Sequence, residues 1–257
     1  MSFSPQSAST TPPLAPLQSA NNEIPDNSDI TFGGLGDSFY EPVLSDPDKS
    51  FLAHFGSGNV LSTKMEHLAC FAPGMLAIGS KVLDRPQGMA VAKSLLEGCM
   101  FMYAGTASGL VPESVYFATE DSYRQLERVR PDLAQQIDER GFYIDNSVNI
   151  LRPEMVESLF VFYRLTGDRK YQEHGWNIFK AFEKYAKTPY AFSALRNVDD
   201  ASLSIERNWA DSMESFFLAE TMKYLYFLFA DPSVISLDEY VFNTEAHPLK
   251  IMNDSDE

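Results

Sequence analysis

The stretch from Asp211 to Phe229 constrains the fold most. Its core, MESFFLAETMKYLYFLF, is apolar almost all the way round a helical wheel. A helix of that kind has no face to offer water, so other elements must surround it. Asp211 or Ser212 stands where an N-cap is expected. The stretch nevertheless keeps Glu214 and Glu220. A carboxylate on an apolar helix needs a partner or a polar cavity, because burying it alone is expensive.

The flanking sequence supplies helices to pack around it. Pro86 to Tyr103 is a long apolar run whose proline suits the first helical position. Pro153 to Leu165 begins the same way, and Arg169 to Ala186 alternates aromatic and charged residues at helical spacing. Connectors carry Gly, Pro, Asn and Asp. Strand signals are sparse: Gly141 to Ile144, and Val241 to Asn243. The expectation is an all-α fold of helical hairpins with small β-hairpin excursions over residues 31–250. A chain of 257 residues, 44% hydrophobic, can hold one large core. Met1 to Ile30, rich in Ser, Pro, Asn and Thr, reads as a disordered segment or linker, and 251–257 as an acidic tail. Thr31 to Gly36 reads as a flexible turn before a short helix. That helix would set Asp37 and Glu41 on one face and stop at Pro42.

A net charge of -16 and a pI near 4.6 exclude nucleic acid as a natural partner, since phosphate binding needs a basic surface. No apolar run is long enough to span a bilayer, and the first residues lack the basic start and apolar core of a signal peptide. Cys70 and Cys99 are buried thiols if the compartment is reducing. If it is oxidising they can pair, stabilising the fold by about 3–4 kcal/mol.

Carboxylates recur at helix starts and inside apolar runs. Glu113 sits among apolar residues beside Pro112. Glu154 and Glu157 occupy a first helical turn, with Arg152 just before them. An acid there also satisfies the helix dipole, which is the plainer explanation of each one singly. Glu220 lacks that excuse. Near the end, Val241 to Leu249 places Thr244, Glu245 and His247 beside a proline. Oxygen donors of this kind suit a hard cation such as calcium, or a polyhydroxyl ligand. Taken jointly, these acids with Arg152, His67 and Phe216 predict a carboxylate-lined pocket. Crowded carboxylates repel, so some keep a proton near neutral pH. One can then protonate a glycosidic oxygen while another activates water, and an aromatic ring such as Phe216 can stack on a sugar. Other chemistries lack their motifs. There is no HExxH or CxxC spacing for zinc and no GxSxG elbow. The glycine-rich lead-in is not followed by the Lys-Ser/Thr of a phosphate loop.

These segments together resemble glycoside hydrolase family 47, the class I α-1,2-mannosidases. The matching strings are GGLGDSFYE (Gly33 to Glu41), HLACFAPGMLAIGSKVL (His67 to Leu83), GLVPE (Gly109 to Glu113), LRPEMVES (Leu151 to Ser158), MESFFLAETMKYLYFLF (Met213 to Phe229) and VFNTEAHPL (Val241 to Leu249). They follow the family's order. The resemblance implies part of an (α/α)7 toroid whose cavity removes α-1,2-linked mannose from oligomannose N-glycans with inversion, using bound Ca2+. It implies catalytic roles for Asp37, which acts as base or through water, for Glu113 as proton donor, and for Glu154 in activating water. His67, Arg152, Glu157, Phe216, Glu220 and Glu245 match residues of the sugar subsite. Thr244 matches the threonine that binds calcium through its hydroxyl and its own carbonyl. Cys70 and Cys99 match a disulfide pair, which implies the secretory-pathway lumen (endoplasmic reticulum or Golgi) or secretion.

The chain also departs from the family. A full domain is roughly twice as long as Thr31 to Leu249, beyond the usual size of one core. Its earlier half carries further helices and another catalytic-site glutamate. The expectation is a fragment or shortened product, an open toroid with exposed apolar faces, self-association, and little turnover by the isolated chain. A non-catalytic glycan-binding protein of glycoprotein quality control is the alternative, and a helical interaction domain without a ligand site is the plainest one.

Overall fold

The computed structural model describes residues 39–41, 49–56 and 60–252. The expected linker 1–30, the Thr31 to Gly36 turn, Asp37 and all but the start of the acidic tail lie outside the described residues.

Helices dominate the rest. Pro86 opens α2 (Pro86–Ala104) from its first turn, which follows α1 (Ala72–Val82) after a short connector. The antiparallel pair α5 (Glu154–Thr166) and α6 (Lys170–Ala181) is joined through Gly167, whose φ of +71° ends α5 in the left-handed conformation that glycine adopts without strain. The winding of α6 continues through a π-helical turn to Ala186, and a second π-helical turn over Phe217–Thr221 leads into α8 (Met222–Phe229). Among these, α5 is central: it packs against α1, α6 and α8. Its Met155, Val156, Leu159, Phe160 and Phe162 are at most 1% exposed. The contact between α6 and α8 is close enough that a methyl group on Gly175 would lie 2.3 Å from Leu228 Cδ2.

Two polar helices were not assigned from the sequence. Thr119 starts α3 (Glu120–Val129) with a reciprocal capping box through Ser122, and Pro131 starts α4 (Pro131–Arg140), which ends at Gly141. A short helical turn, α7 (Ile205–Asn208), completes the set.

The β structure is small but more extensive than the two expected strands. An antiparallel sheet runs β1 (Phe39–Glu41), β2 (Phe51–Gly56), β3 (Val60–Ser62). A second runs β4 (Lys64–Glu66), β5 (Ser114–Phe117), β6 (Phe142–Asn146), and β7 (Tyr240–Phe242) pairs with β8 (Pro248–Lys250) as a hairpin. The expected helix bearing Glu41 is therefore corrected. Phe39 to Glu41 pairs with Phe51 to Ala53 as an antiparallel strand and does not wind as a helix.

The Asp211 to Phe229 helix also needs correction. Helical winding is absent at Asp211 and Ser212, because that segment bonds sideways: Ala194 N–H donates to Ser212 O at 2.7 Å, and Asp211 N–H to Ser193 Oγ at 3.1 Å. Nor is the helix enclosed on every side, since Leu218, Tyr226 and Phe229 are 60%, 62% and 45% exposed.

Candidate active site

Separate loops meet at the N-terminal end of α5. His67 enters just after β4, in a 3-10 turn, and its backbone N–H donates to Glu113 O at 3.0 Å. Glu113 precedes β5 and is tied on its other side by its own N–H to Val148 O, at 2.8 Å. Glu154 and Glu157 project from the first turn of α5, and the π-helical turn before α8 delivers Phe216 and Glu220.

Arg152 is the hub. Its Nε donates to both Glu113 oxygens, at 3.1 and 2.9 Å, while Nη1 lies 3.8 Å from Glu154 Oε1. Its guanidinium sits 5.9 Å from the centre of the Phe216 ring, a cation–π distance. One cation thus serves two acids, Glu113 and Glu154, in a crowd of carboxyls. Burial raises the Glu154 carboxyl to about 7; its backbone N–H and Arg152 pull the other way, while Glu113 and Glu220 add to the rise. Burial and then Glu154 raise Glu157 to about 7, against a 3.4 Å hydrogen bond donated by the Tyr224 hydroxyl. Glu113 is also raised by burial, in spite of Arg152. Burial followed by Glu245 raises Glu220, whose surface is only 8% exposed.

His67 is neutral. Burial and the Arg152 charge hold its imidazole at about 3, and Nε2 shares a 2.9 Å hydrogen bond with the Tyr103 hydroxyl. Among the described residues, His67 Nδ1 and Glu154 Oε2 are buried without a hydrogen-bond partner. Unpaired buried polar atoms are rare in folded proteins, and both of these can hydrogen-bond a hydroxyl or a water.

Of the residues selected from the sequence, Glu113, Arg152, Glu154, Glu157, Phe216 and Glu220 form this connected set with His67. Thr244 and Glu245 stand on the exposed turn between β7 and β8. Glu245 acts on Glu220 electrostatically, and Lys223 Nζ ties α8 to the same turn by donating to Ala246 O at 2.9 Å. Asp37 lies outside the described residues. No group of three or more His, Cys, Asp or Glu side chains that could hold a metal occurs among the described residues. The Thr244 hydroxyl and carbonyl are all-oxygen donors in a solvent-facing turn beside acids. That chemistry fits a hard cation which retains most of its water.

Behind the site, Cys70 and Cys99 are disulfide-bonded with a Cα separation of 6.0 Å. The wholly buried Ser158 hydroxyl donates to Cys70 O at 2.6 Å and accepts from Gly74 N–H at 3.0 Å, locking α5 against the start of α1. Sequence reasoning missed Tyr103 and Tyr224. Tyr224 follows Glu220 by one helical turn, so its spacing was a usable signal; Tyr103 reaches His67 only through the packing of α2.

Comparison with known proteins accords with this geometry. The model of glycosyl hydrolase family 47 matches residues 43–251. The chain belongs to glycosyl hydrolase family 47. A mannosyl-oligosaccharide 1,2-alpha-mannosidase of Arabidopsis thaliana is 38% identical over 92% of this chain and 44% of its own length. The endoplasmic reticulum mannosyl-oligosaccharide 1,2-alpha-mannosidase of Homo sapiens is 44% identical over 80% of this chain and 28% of its own length. An alpha-1,2-mannosidase from Trichoderma reesei superposes with a TM-score of 0.70 at 30% identity, over 80% of this chain and 42% of that one. The chain therefore spans less than half the length of these family 47 relatives. Its helices form part of the (α/α)7 toroid of the family. No helix among the described residues is long and apolar enough to cross a membrane.

Proposed function

We propose that the chain carries a share of a calcium-assisted α-1,2-mannosidase site acting, with inversion, on oligomannose N-glycans of glycoproteins. One observation supports this most. Arg152 spans Glu113 and Glu154, and Glu154 sits at about 7 with a buried oxygen left unpaired. A carboxyl of that pKa is half protonated at neutral pH and can give or take a proton there.

Inversion needs one carboxyl to protonate the departing glycosidic oxygen and a carboxylate to take a proton from the attacking water. The electrostatics favour Glu154 as the proton holder and Glu113, doubly hydrogen-bonded by Arg152, as the anion. That is the reverse of the roles the family resemblance implies. Asp37 would be a third acid, working as base or through water. His67, Glu157, Glu220 and Glu245 would engage sugar hydroxyls, with Phe216 against the apolar face of the ring. Thr244 would hold calcium through its hydroxyl and carbonyl. Calcium held there would supply a positive charge against which sugar hydroxyls and water could be oriented. The Cys70–Cys99 bond supports an oxidising compartment, the secretory-pathway lumen or the exterior.

Binding without turnover is a second reading, favoured by exposed apolar edges. Met75, Ile78 and Val82 line one face of α1, and Tyr226 and Phe229 project from α8. Calorimetric titration of the purified chain with methyl α-mannoside, with calcium and with a chelator, tests both. Calcium-dependent binding that is lost in Glu220→Gln is expected. The absence of any mannose response under either condition would sink the site assignment. Release of mannose from a Man-α-1,2-Man disaccharide would overturn the expectation of little turnover.

A further inference from the structure

Arg152 follows a residue in an unusual conformation. Leu151 has a φ of +68°, in the left-handed region that a branched aliphatic residue avoids, and it is 0% exposed. Such a conformation persists only where its surroundings over-determine it. Two wholly buried polar side chains do so. Thr221 Oγ1 donates to Leu151 O at 2.7 Å, and Asn149 Oδ1 accepts from Leu151 N–H at 2.9 Å. Asn149 Nδ2 in turn donates to Val111 O at 2.8 Å, two residues before Glu113. Leu195 clasps the Asn149 backbone from the far side, with N–H to O bonds of 3.0 and 2.8 Å.

We propose that Thr221 and Asn149 are positioning residues that clamp Leu151 and so aim Arg152 at Glu113 and Glu154. The clamp joins the segments that matter to the site: the strand lead-in bearing Glu113, the start of α5 and the turn before α8. The π-helical winding over Phe217–Thr221 places Thr221 toward α5 while Glu220, its neighbour, meets the acids. Such an inserted turn is a recurrent device at functional sites. The side-chain hydrogen bonds of both clamp residues go to the backbone of Leu151 and Val111. Both act through the backbone. The inference deepens the glycosidase reading and rests on it only for the identity of the ligand.

Arg152 Nε–H is the reporter, because its rate of exchange with water reads how firmly Glu113 holds it. Its resonance is assigned by its disappearance in Arg152→Lys. In Thr221→Val, exchange is expected to quicken by about tenfold, the loosening that loss of one ordinary hydrogen bond produces. Thr221→Ser restores the hydroxyl and the wild-type rate. Thr166→Val is the control: it removes a similar 2.7 Å bond, from Thr166 Oγ1 to Phe162 O at the other end of α5. It should lower the melting temperature without moving the Arg152 signal. If Thr221→Val fails to fold, Thr221→Ala, which leaves a small void beside the carbonyl, carries the same expectation. Unchanged exchange in the folded Thr221 variant, or an equal change in Thr166→Val, overturns the clamp. Methyl α-mannoside with calcium separates the two readings. Binding about tenfold weaker in Thr221→Val supports both. A wild type that ignores the sugar while Thr221→Val still quickens exchange rejects the mannosidase site and leaves the clamp standing.

Discussion

Replacing Glu154 by Gln should remove much of this protein's stability loss with rising pH. Glu154 lies at about 7 in the folded chain, against an ordinary 4.5, mainly through burial. The folded state therefore holds a proton that the unfolded state releases across the window from 4.5 to 7. Stability is full below the unfolded value and declines as pH rises through the folded one. A displacement from 4.5 to about 7 is worth about 3 kcal/mol, of which about 2.5 falls between pH 5 and pH 8. The Glu154 side chain is 13% exposed, so solvent screening takes little from this figure. Gln keeps the shape and carries no charge. It also spares Glu157 its largest electrostatic repulsion, so the neighbouring carboxyl titrates lower as well. Urea unfolding followed by tryptophan fluorescence, in chelator so that no bound cation contributes, measures both proteins at pH 5 and pH 8. The variant should be close to wild type at pH 5 and more stable by about 2–3 kcal/mol at pH 8. Equal pH dependence in the two would show that Glu154 is ionised and well solvated in the folded chain, and the crowded-acid account of the site would fail.

Arg152→Ala should act in the opposite sense. It leaves Glu113 and Glu154 without their cation and should destabilise the chain by about 2 kcal/mol at pH 8 and less at pH 5, where Glu154 takes up a proton. The same unfolding titrations check it, and a loss equal at both pH values would assign Arg152 a packing role alone. Gly175→Ala should cost about 1–3 kcal/mol, because its methyl group would meet Leu228 Cδ2 at 2.3 Å between α6 and α8. A melting temperature equal to wild type would mean the two helices have room to separate.

Much of the site was legible because its signals are local. Arg152, Glu154 and Glu157 share one helix start, and a proline before acids marks such a start in any context. Glu220 stood out because an acid on an apolar helix requires a reason. The same local logic failed at Asp211 and Ser212, which look like caps but spend their backbone groups on the 193–194 segment. It failed again for Phe39 to Glu41, where pairing with Phe51 to Ala53 outweighs any helical spacing. Strands β4 and β5 gave no clear pattern, since each is short and its partners lie far away in the chain.

The amino-acid order determined by itself where α2, α5 and α6 wind, which residues carry charge and which family motifs recur, because periodicity, prolines and first-turn acids act within a few residues. Tertiary structure alone decided that His67 is neutral, that Glu154 and Glu157 share one dehydrated corner, and that Leu151 is held in a left-handed conformation between Asn149 and Thr221. Those outcomes depend on burial and on at least one distant partner, as Tyr103 is for His67 and Thr221 for Leu151, and no local pattern encodes the dielectric around a carboxyl or the far end of such a hydrogen bond.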